Sequence, residues 1–178
     1  MISSYKNKAI FFDRDGTINN PVYRDNGFFS PRIFNDFSIY KDVKECIDFL
    51  VDNNFLILII SNQPDISRKK MEMSQLEKMN NQIKDLFHVD DIYYSFDSDV
   101  YKDGTKKPSP KMLFDARKKW SIDFSRSYFI GDTLIDKECA QNAGVPFILI
   151  SREHNKDLDS EMKINDLRQI KNVINIYD

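Results

Sequence analysis

The chain has 178 residues, 41% of them hydrophobic, which is enough apolar material for one packed domain over residues 1–178 and too much for a disordered polymer. Its 26 basic and 28 acidic side chains leave a formal net charge of −2, so no global basic excess points to a nucleic-acid partner. The longest strongly apolar run, residues 55–60, is too short to cross a bilayer, and the N-terminus lacks the apolar stretch of a signal peptide, so the cytosol is the expected location.

Lys8-Ala9-Ile10-Phe11-Phe12 reads as a buried strand, and the stretch after it is a loop punctuated by Pro21, Gly27 and Pro31. Helical spacing places Val43, Ile47, Leu50 and Val51 on one stripe of a helix over 43–51. Residues 55–60 form a second buried strand, and 74–87 a helix with Leu76, Met79, Ile83, Leu86 and Phe87 facing the core. A short strand at 91–95 precedes a polar, irregular stretch over 96–107. Pro110 suits the first turn of a helix ending at Trp120. A strand over 126–130 leads into a helix over 133–143 that Gly144 stops, and a further strand covers 145–150. A terminal helix is expected over 165–174. Strands separated by helices predict right-handed crossovers and a parallel sheet covered on both faces, an α/β sandwich of three layers. In such sheets ligands bind beyond the carboxyl ends of the strands.

Those ends carry the polar chemistry. The first strand runs into Asp13-Arg14-Asp15-Gly16-Thr17, two carboxylates spaced by one residue and a glycine that permits a sharp turn. The second ends in Ser61-Asn62-Gln63. Lys107-Pro108 opens a helix, and the strand Tyr128-Phe129-Ile130 ends in Gly131-Asp132, with Asp136 four residues on. A lone Asp after a strand is often only a turn former or helix cap, whereas the four segments in this order point to a site.

The set suits phosphoryl transfer. A phosphate monoester repels an anionic nucleophile, so a carboxylate attacks phosphorus only where cations offset the charge. Asp13 and Asp132 offer hard oxygen ligands for Mg2+, Lys107 adds positive charge, and the Ser61 hydroxyl with nearby N–H groups holds phosphate oxygens. Asp15 can protonate the leaving alkoxide and then deprotonate water. Asp136 is placed to orient Lys107 or the water around the cation.

These residues resemble the motifs of the haloacid dehalogenase superfamily in its phosphatase branch: Asp13-Arg14-Asp15-Gly16-Thr17 as the first, Ser61 the second, Lys107 the third, and Gly131-Asp132 with Asp136 the fourth. The resemblance runs from about residue 8 to 150. It implies a Rossmann-like sheet, Asp13 as nucleophile, Asp15 as acid/base, and Mg2+ held by Asp13, Asp132 and the Asp15 backbone carbonyl. It also marks Asn62, Lys106 and Arg68 as candidate phosphate or substrate contacts and Thr17 as a supporting residue. Phe12 to Asn19, Ser61-Asn62-Gln63 and Lys107 to Met112 are similar to the subfamily with minimal or no cap, which contains heptose 1,7-bisphosphate phosphatase and histidinol phosphatase. Residues 28–40 resemble the substrate-loop region of that group.

Departures from the subfamily pattern bear on substrate and metal. Its structural zinc uses three Cys and one His before the third motif, whereas this chain reads Ser95-Phe96-Asp97 and Asp103-Gly104-Thr105, so no zinc is expected. Lys106 replaces an Arg and loses its planar fork. Thr133 stands where the heptose enzymes carry Lys, and Pro64-Asp65-Ile66-Ser67-Arg68 brings a new acid to the mouth.

Cys46 and Cys139 read as buried small apolar residues. His88 and His154 read as surface or capping residues, and Lys69-Lys70 and Lys118-Lys119 as solvated pairs. The expected activity is Mg2+-dependent hydrolysis of a phosphorylated sugar such as a heptose bisphosphate, by a monomer. Polynucleotide 3'-phosphatase, histidinol-phosphate phosphatase and a catalytically inactive binding protein on the same fold are the alternatives.

Overall fold

The computed structural model describes residues 5–100 and 104–176. Its centre is a six-stranded, all-parallel sheet built from β1 (Lys8–Phe12), β4 (Phe55–Asn62), β5 (Asp91–Ser95), β6 (Tyr128–Gly131), β7 (Phe147–Ile150) and β8 (Lys163–Ile164), in the order β5-β4-β1-β6-β7-β8. β2 (Val22–Arg24) and β3 (Gly27–Phe29) form a separate antiparallel hairpin.

The inner strands β1, β4, β6 and β7 are largely apolar because both faces are covered. Alternation sends Ile10 and Phe12 of β1, with Ile57 and Ile59 of β4, into one core. Ala9, Phe11, Leu58 and Ile60 enter the other. The first core is covered by α1 (Val43–Asp52) and α3 (Met73–Leu86), which contribute Val43, Ile47, Leu50, Leu76, Met79 and Ile83. The second is covered by α4 (Lys111–Trp120) and α5 (Leu134–Ala143), through Met112, Leu113, Ala116, Cys139 and Ala140. These layers give the expected Rossmann-like sandwich. Among the described residues no helix is long and apolar enough to cross a membrane.

β1 is the switch point of the sheet. The chain leaves it to build β4 and β5 on one side and returns to build β6, β7 and β8 on the other. The crevice beyond its carboxyl end is where α/β sheets bind ligands. Only the hairpin and a single 3-10 turn fill the interval before α1, and a four-residue helix α2 (Pro64–Ser67) and α3 fill that between β4 and β5. Neither insertion makes a large cap.

Several elements differ from the sequence reading. The terminal helix is a 3-10 helix, Leu167–Asn172, whose Leu167 and Ile170 alone are buried. The sequence reading made no element of the hairpin, α2 or the two-residue β8. β4 extends to Asn62, which makes Ser61 and Asn62 part of the strand end. Leu86, expected in the core, is 50% exposed, because α3 ends there and Phe87 takes the inward position.

Candidate active site

The chain turns out of β1 at Gly16, whose φ of +97° is strained for any L-residue. A Cβ there would lie 2.1 Å from Asp132 Oδ2, so the glycine also makes room for the carboxylate from β6. Asp13 sits at the strand end, its N–H donating to the Ile130 carbonyl at 2.9 Å.

Lys107 is buried at 3% exposure, and its Nζ donates to Asp13 Oδ1 (2.5 Å), Asp136 Oδ1 (2.7 Å) and the Ile60 carbonyl (3.0 Å). Asn62 clamps the lysine's main chain: its Oδ1 accepts from Lys107 N at 2.9 Å and its Nδ2 donates to Lys107 O at 3.2 Å. Asp136 caps α5 through Thr133, whose N–H and Oγ1 donate to Asp136 Oδ2 at 3.1 and 2.6 Å. Both Asp136 oxygens are therefore committed, one to the lysine and one to the cap. Burial works against the Lys107 charge, but Asp13 and Asp136 outweigh it and raise the ammonium well above the ordinary lysine value.

Asp13, Asp132 and Asp136 bring carboxylate oxygens within 4.8 Å of one another, all three buried. Burial raises the Asp13 pKa well above the carboxylate range; Lys107 opposes this, and the Asp136, Asp132 and Asp15 charges add to it. Asp132 is likewise raised by burial, against the hydrogen bond from His154. The cluster carries more negative charge than Lys107 cancels. A hard divalent cation fits that donor set and that deficit.

Asp15 has a different setting. Its carboxylate accepts from Arg14 (Nε 3.2 Å; Nη2 3.0 and 3.1 Å), Asn19 Nδ2 (3.0 Å) and Gln63 Nε2 (2.8 Å). Burial pushes its pKa up, yet the Arg14 guanidinium and these bonds prevail and hold it below the usual range. Arg14 itself is fully buried and also donates to Asn80 Oδ1 at 3.2 Å. Gln63 Nε2 donates in addition to Ser61 Oγ at 2.8 Å, joining the strand-end hydroxyl to Asp15. Neither Gln63, Arg14 nor Asn19 was singled out by the sequence reading, although all three stand inside the quoted motifs.

The cleft over this cluster has a volume of about 170 Å3 and is lined by Asp13, Asp15, Asn62, Lys107 and Asp136, with Ser30, Thr133 and Ile135 at its sides. A larger hollow of about 520 Å3 lies beside Tyr40 and Arg152, but its buried charges are already paired, Arg152 with Asp42 at 2.8 and 3.1 Å.

Two expected phosphate contacts are directed elsewhere. Arg68 Nη2 and Lys106 Nζ both donate to the Ser98 carbonyl, at 2.7 and 2.6 Å, and neither lines the cleft. Lys107 turns inward, so its neighbour Lys106 points away. Thr17 is buried and its Oγ1 lies 3.4 Å from Asp132 Oδ1. His154, read from the sequence as a surface or capping residue, instead reaches Asp132 Oδ2 with Nε2 at 2.6 Å. The fold brings the end of β7 beside that of β6, a neighbourhood that sequence spacing does not reveal. Asp65 pairs with Arg32 (2.7 Å), Arg24 (3.6 Å) and Arg68 (4.0 Å).

The stretch before Lys107 is organised by polar side chains. Asp97 Oδ2 accepts from Thr105 N (2.8 Å) and Thr105 Oγ1 (3.1 Å), and Thr105 Oγ1 is also 2.8 Å from Ser95 Oγ. Residues 101–103 of the expected polar loop lie outside the described residues.

A family model described as "Polynucleotide kinase 3 phosphatase" matches residues 8–160. The chain is 33% identical over 167 residues to D-glycero-D-manno-heptose-1,7-bisphosphate 7-phosphatase of Chlorobaculum tepidum, which covers 84% of this chain and 81% of the relative. It is 28% identical over 177 residues to D-glycero-alpha-D-manno-heptose-1,7-bisphosphate 7-phosphatase of Campylobacter jejuni, covering 94% and 95%. In fold it is similar to the crystal structure of D,D-heptose 1.7-bisphosphate phosphatase from B. bronchiseptica complexed with magnesium and phosphate, with a TM-score of 0.77 and 20% identity over 93% of this chain and 96% of that one. Motif order, sheet topology and these similarities agree: the chain is a haloacid dehalogenase-type phosphatase and belongs to the polynucleotide kinase 3 phosphatase family.

Proposed function

We propose that this phosphatase hydrolyses a phosphorylated sugar of the heptose bisphosphate class, with Mg2+ as cofactor and an aspartyl phosphate on Asp13 as intermediate. The observation that carries the reading is the convergence of Asp13, Asp132, Asp136 and Lys107 in one buried cluster, most of it opening onto the cleft at the sheet's switch point.

Asp13 attacks phosphorus; the Asp13 oxygen–phosphorus bond forms as the ester oxygen–phosphorus bond breaks. Asp15 enters this step in its protonated form, gives that proton to the departing alkoxide and is left as the carboxylate. It then takes a proton from the water that attacks the aspartyl phosphate, which frees inorganic phosphate and returns Asp13. The ionised Asp15 held by Arg14, Asn19 and Gln63 is the form that accepts this proton. Lys107 and the Ser61 hydroxyl are the proposed donors to the phosphate oxygens, and Asn62, with both amide atoms on the Lys107 main chain, sets the position of the lysine. Bound Mg2+ supplies positive charge that offsets repulsion between nucleophile and phosphate, with Asp13, Asp132 and the Asp15 carbonyl as its proposed holders. Asp136, with both oxygens already engaged, orients Lys107 instead.

The relatives named for heptose-1,7-bisphosphate support the sugar class. So does the hairpin region. Arg24 and Arg32 share the one carboxylate of Asp65, which leaves positive charge for a second phosphate, and Tyr23, Phe28 and Phe29 expose rings for a sugar face. A monomer is the proposed state and the cytosol the proposed compartment. No zinc is proposed, since Ser95, Asp97 and Thr105 order the stretch that precedes Lys107.

The test is phosphate release from heptose 1,7-bisphosphate, histidinol phosphate and a 3'-phosphorylated oligonucleotide, each with Mg2+ and with chelator. Turnover of the heptose ester alone, abolished by chelator, is the expected result. Preference for the oligonucleotide would favour the activity named by the family model, and no turnover of any ester would overturn the reading.

A further inference from the structure

Asp132 is held from two sides by consecutive residues of the turn that follows β7. Asn155 Nδ2 donates to the Asp132 backbone carbonyl at 2.7 Å and to the Ile150 carbonyl at 3.0 Å, which ties the end of β6 to the end of β7. His154 reaches the carboxylate itself, Nε2 to Oδ2 at 2.6 Å. An ionised carboxylate oxygen, the form in which Asp132 would hold a cation, only accepts, so the Nε2–H tautomer of His154 is the one that donates to it. The imidazole is 10% exposed and packs under the ring of Phe28 from the hairpin, with centroids 5.4 Å apart. It is thus fixed by packing on one side and by a hydrogen bond on the other.

Among the described residues, the ligand atoms that lie within 4.8 Å of one another come from Asp13, Asp132 and Asp136, without His154. The histidine is therefore outside the ligand set and in contact with one member of it. A short carboxylate side chain at a strand end turns freely about its last bond unless a partner holds one oxygen. Thr17 Oγ1, at 3.4 Å from Oδ1, holds it only loosely.

We propose that His154 is a positioning residue for Asp132: its Nε2–H holds one carboxylate oxygen, so that the carboxylate meets the divalent cation in a single orientation. The inference rests on the reading of Asp13 and Asp132 as cation ligands. Partners of this kind outside the ligand set typically govern about 10- to 100-fold in metal affinity.

The experiment is a titration of the whole protein with Mn2+ alone at one pH, with the free ion read by its paramagnetic resonance. Wild type, His154→Ala, His154→Gln and Asp132→Asn are compared, each first checked by thermal melting. His154→Ala is expected to weaken Mn2+ binding by about 10- to 100-fold. His154→Gln, which offers an N–H donor, is expected to recover most of that loss, and Asp132→Asn to lose binding altogether. If His154→Ala does not fold, His154→Leu, which fills the space under Phe28, takes its place. A folded Ala or Leu variant that binds Mn2+ as tightly as wild type, or more tightly, overturns the role of His154 while leaving the cation site standing. A wild-type protein that binds no Mn2+ overturns the cation site itself, and the role of His154 with it.

Discussion

Lys107 and Asp136 are joined by a 2.7 Å hydrogen bond between Nζ and Oδ1, and the same ammonium reaches the nucleophile position, Asp13, at 2.5 Å. A buried ammonium between two buried carboxylates is a charge arrangement that tolerates no loss of the middle member. Lys107→Met keeps the aliphatic stem and leaves Asp13 and Asp136 unpaired. The variant is expected to lose about 3–5 kcal/mol of stability in chelator, read by urea denaturation, together with all phosphate release. Wild-type turnover in a folded Lys107→Met protein would contradict the assigned role.

Asp13→Asn separates chemistry from folding. Burial, only partly countered by Lys107, and the neighbouring carboxylates make ionised Asp13 unfavourable in the cation-free protein. The amide keeps the shape and removes that charge, and Lys107 retains Asp136 and the Ile60 carbonyl. Turnover should vanish while the melting temperature in chelator equals or exceeds that of wild type. A large drop in melting temperature would mean that the ion pair, rather than the repulsion, dominates.

The same charges set the pH response. Asp13 and Asp132 have raised pKa values in the fold, so the folded chain takes up protons at pH values where the unfolded chain's aspartates, near 3.8, are still ionised. Their contribution to stability is present below 3.8 and is lost as pH rises through the raised values. Asp15 runs the other way, and its contribution is lost as pH falls through its lowered value. At pH values below those raised pKa values, Mg2+ must displace the protons on Asp13 and Asp132. Its apparent affinity should weaken on acidification by up to about tenfold per pH unit for each proton displaced. Calorimetry in two buffers of different ionisation enthalpy measures the protons released; none released would count against protonated ligands.

Gly16→Ala tests the packing of the first motif against the fourth. The added Cβ would meet Asp132 Oδ2 at 2.1 Å on a backbone with φ of +97°. Asp132 or the turn has to move. A shift of about 1 Å at a reacting group costs on the order of 100-fold in rate, and strain of this kind costs about 1–3 kcal/mol. Steady-state kinetics and urea denaturation check both, and near-wild-type kinetics would show that the turn yields freely.

Asp97→Ala addresses how the stretch before Lys107 is ordered. Asp97 holds Thr105 by main chain and hydroxyl, two residues from the lysine. Its removal should lower kcat by about tenfold through misplacement of Lys107, with the melting temperature close to wild type because Asp97 is not a core residue. Addition of zinc should not restore the activity.

The sequence by itself determined the α/β alternation and the strand ends at which chemistry resides. A buried parallel strand must be apolar along its length, so the polar residues that follow Phe12, Ile60 and Ile130 mark its carboxyl end without reference to any partner. Asp13, Asp15, Ser61 and Asp132 were legible for that reason, and Lys107 through its resemblance to the third motif. The tertiary structure alone decided which of these groups touch. Gln63 closes on Asp15, Asp136 meets Lys107, and His154 meets Asp132, because these contacts depend on the order of strands in the sheet and not on any local period. Arg68 and Lys106 show the same limit from the other side. Their charge was visible in the sequence, but the direction of a long, flexible side chain is set by the acceptor within its reach, here the Ser98 carbonyl.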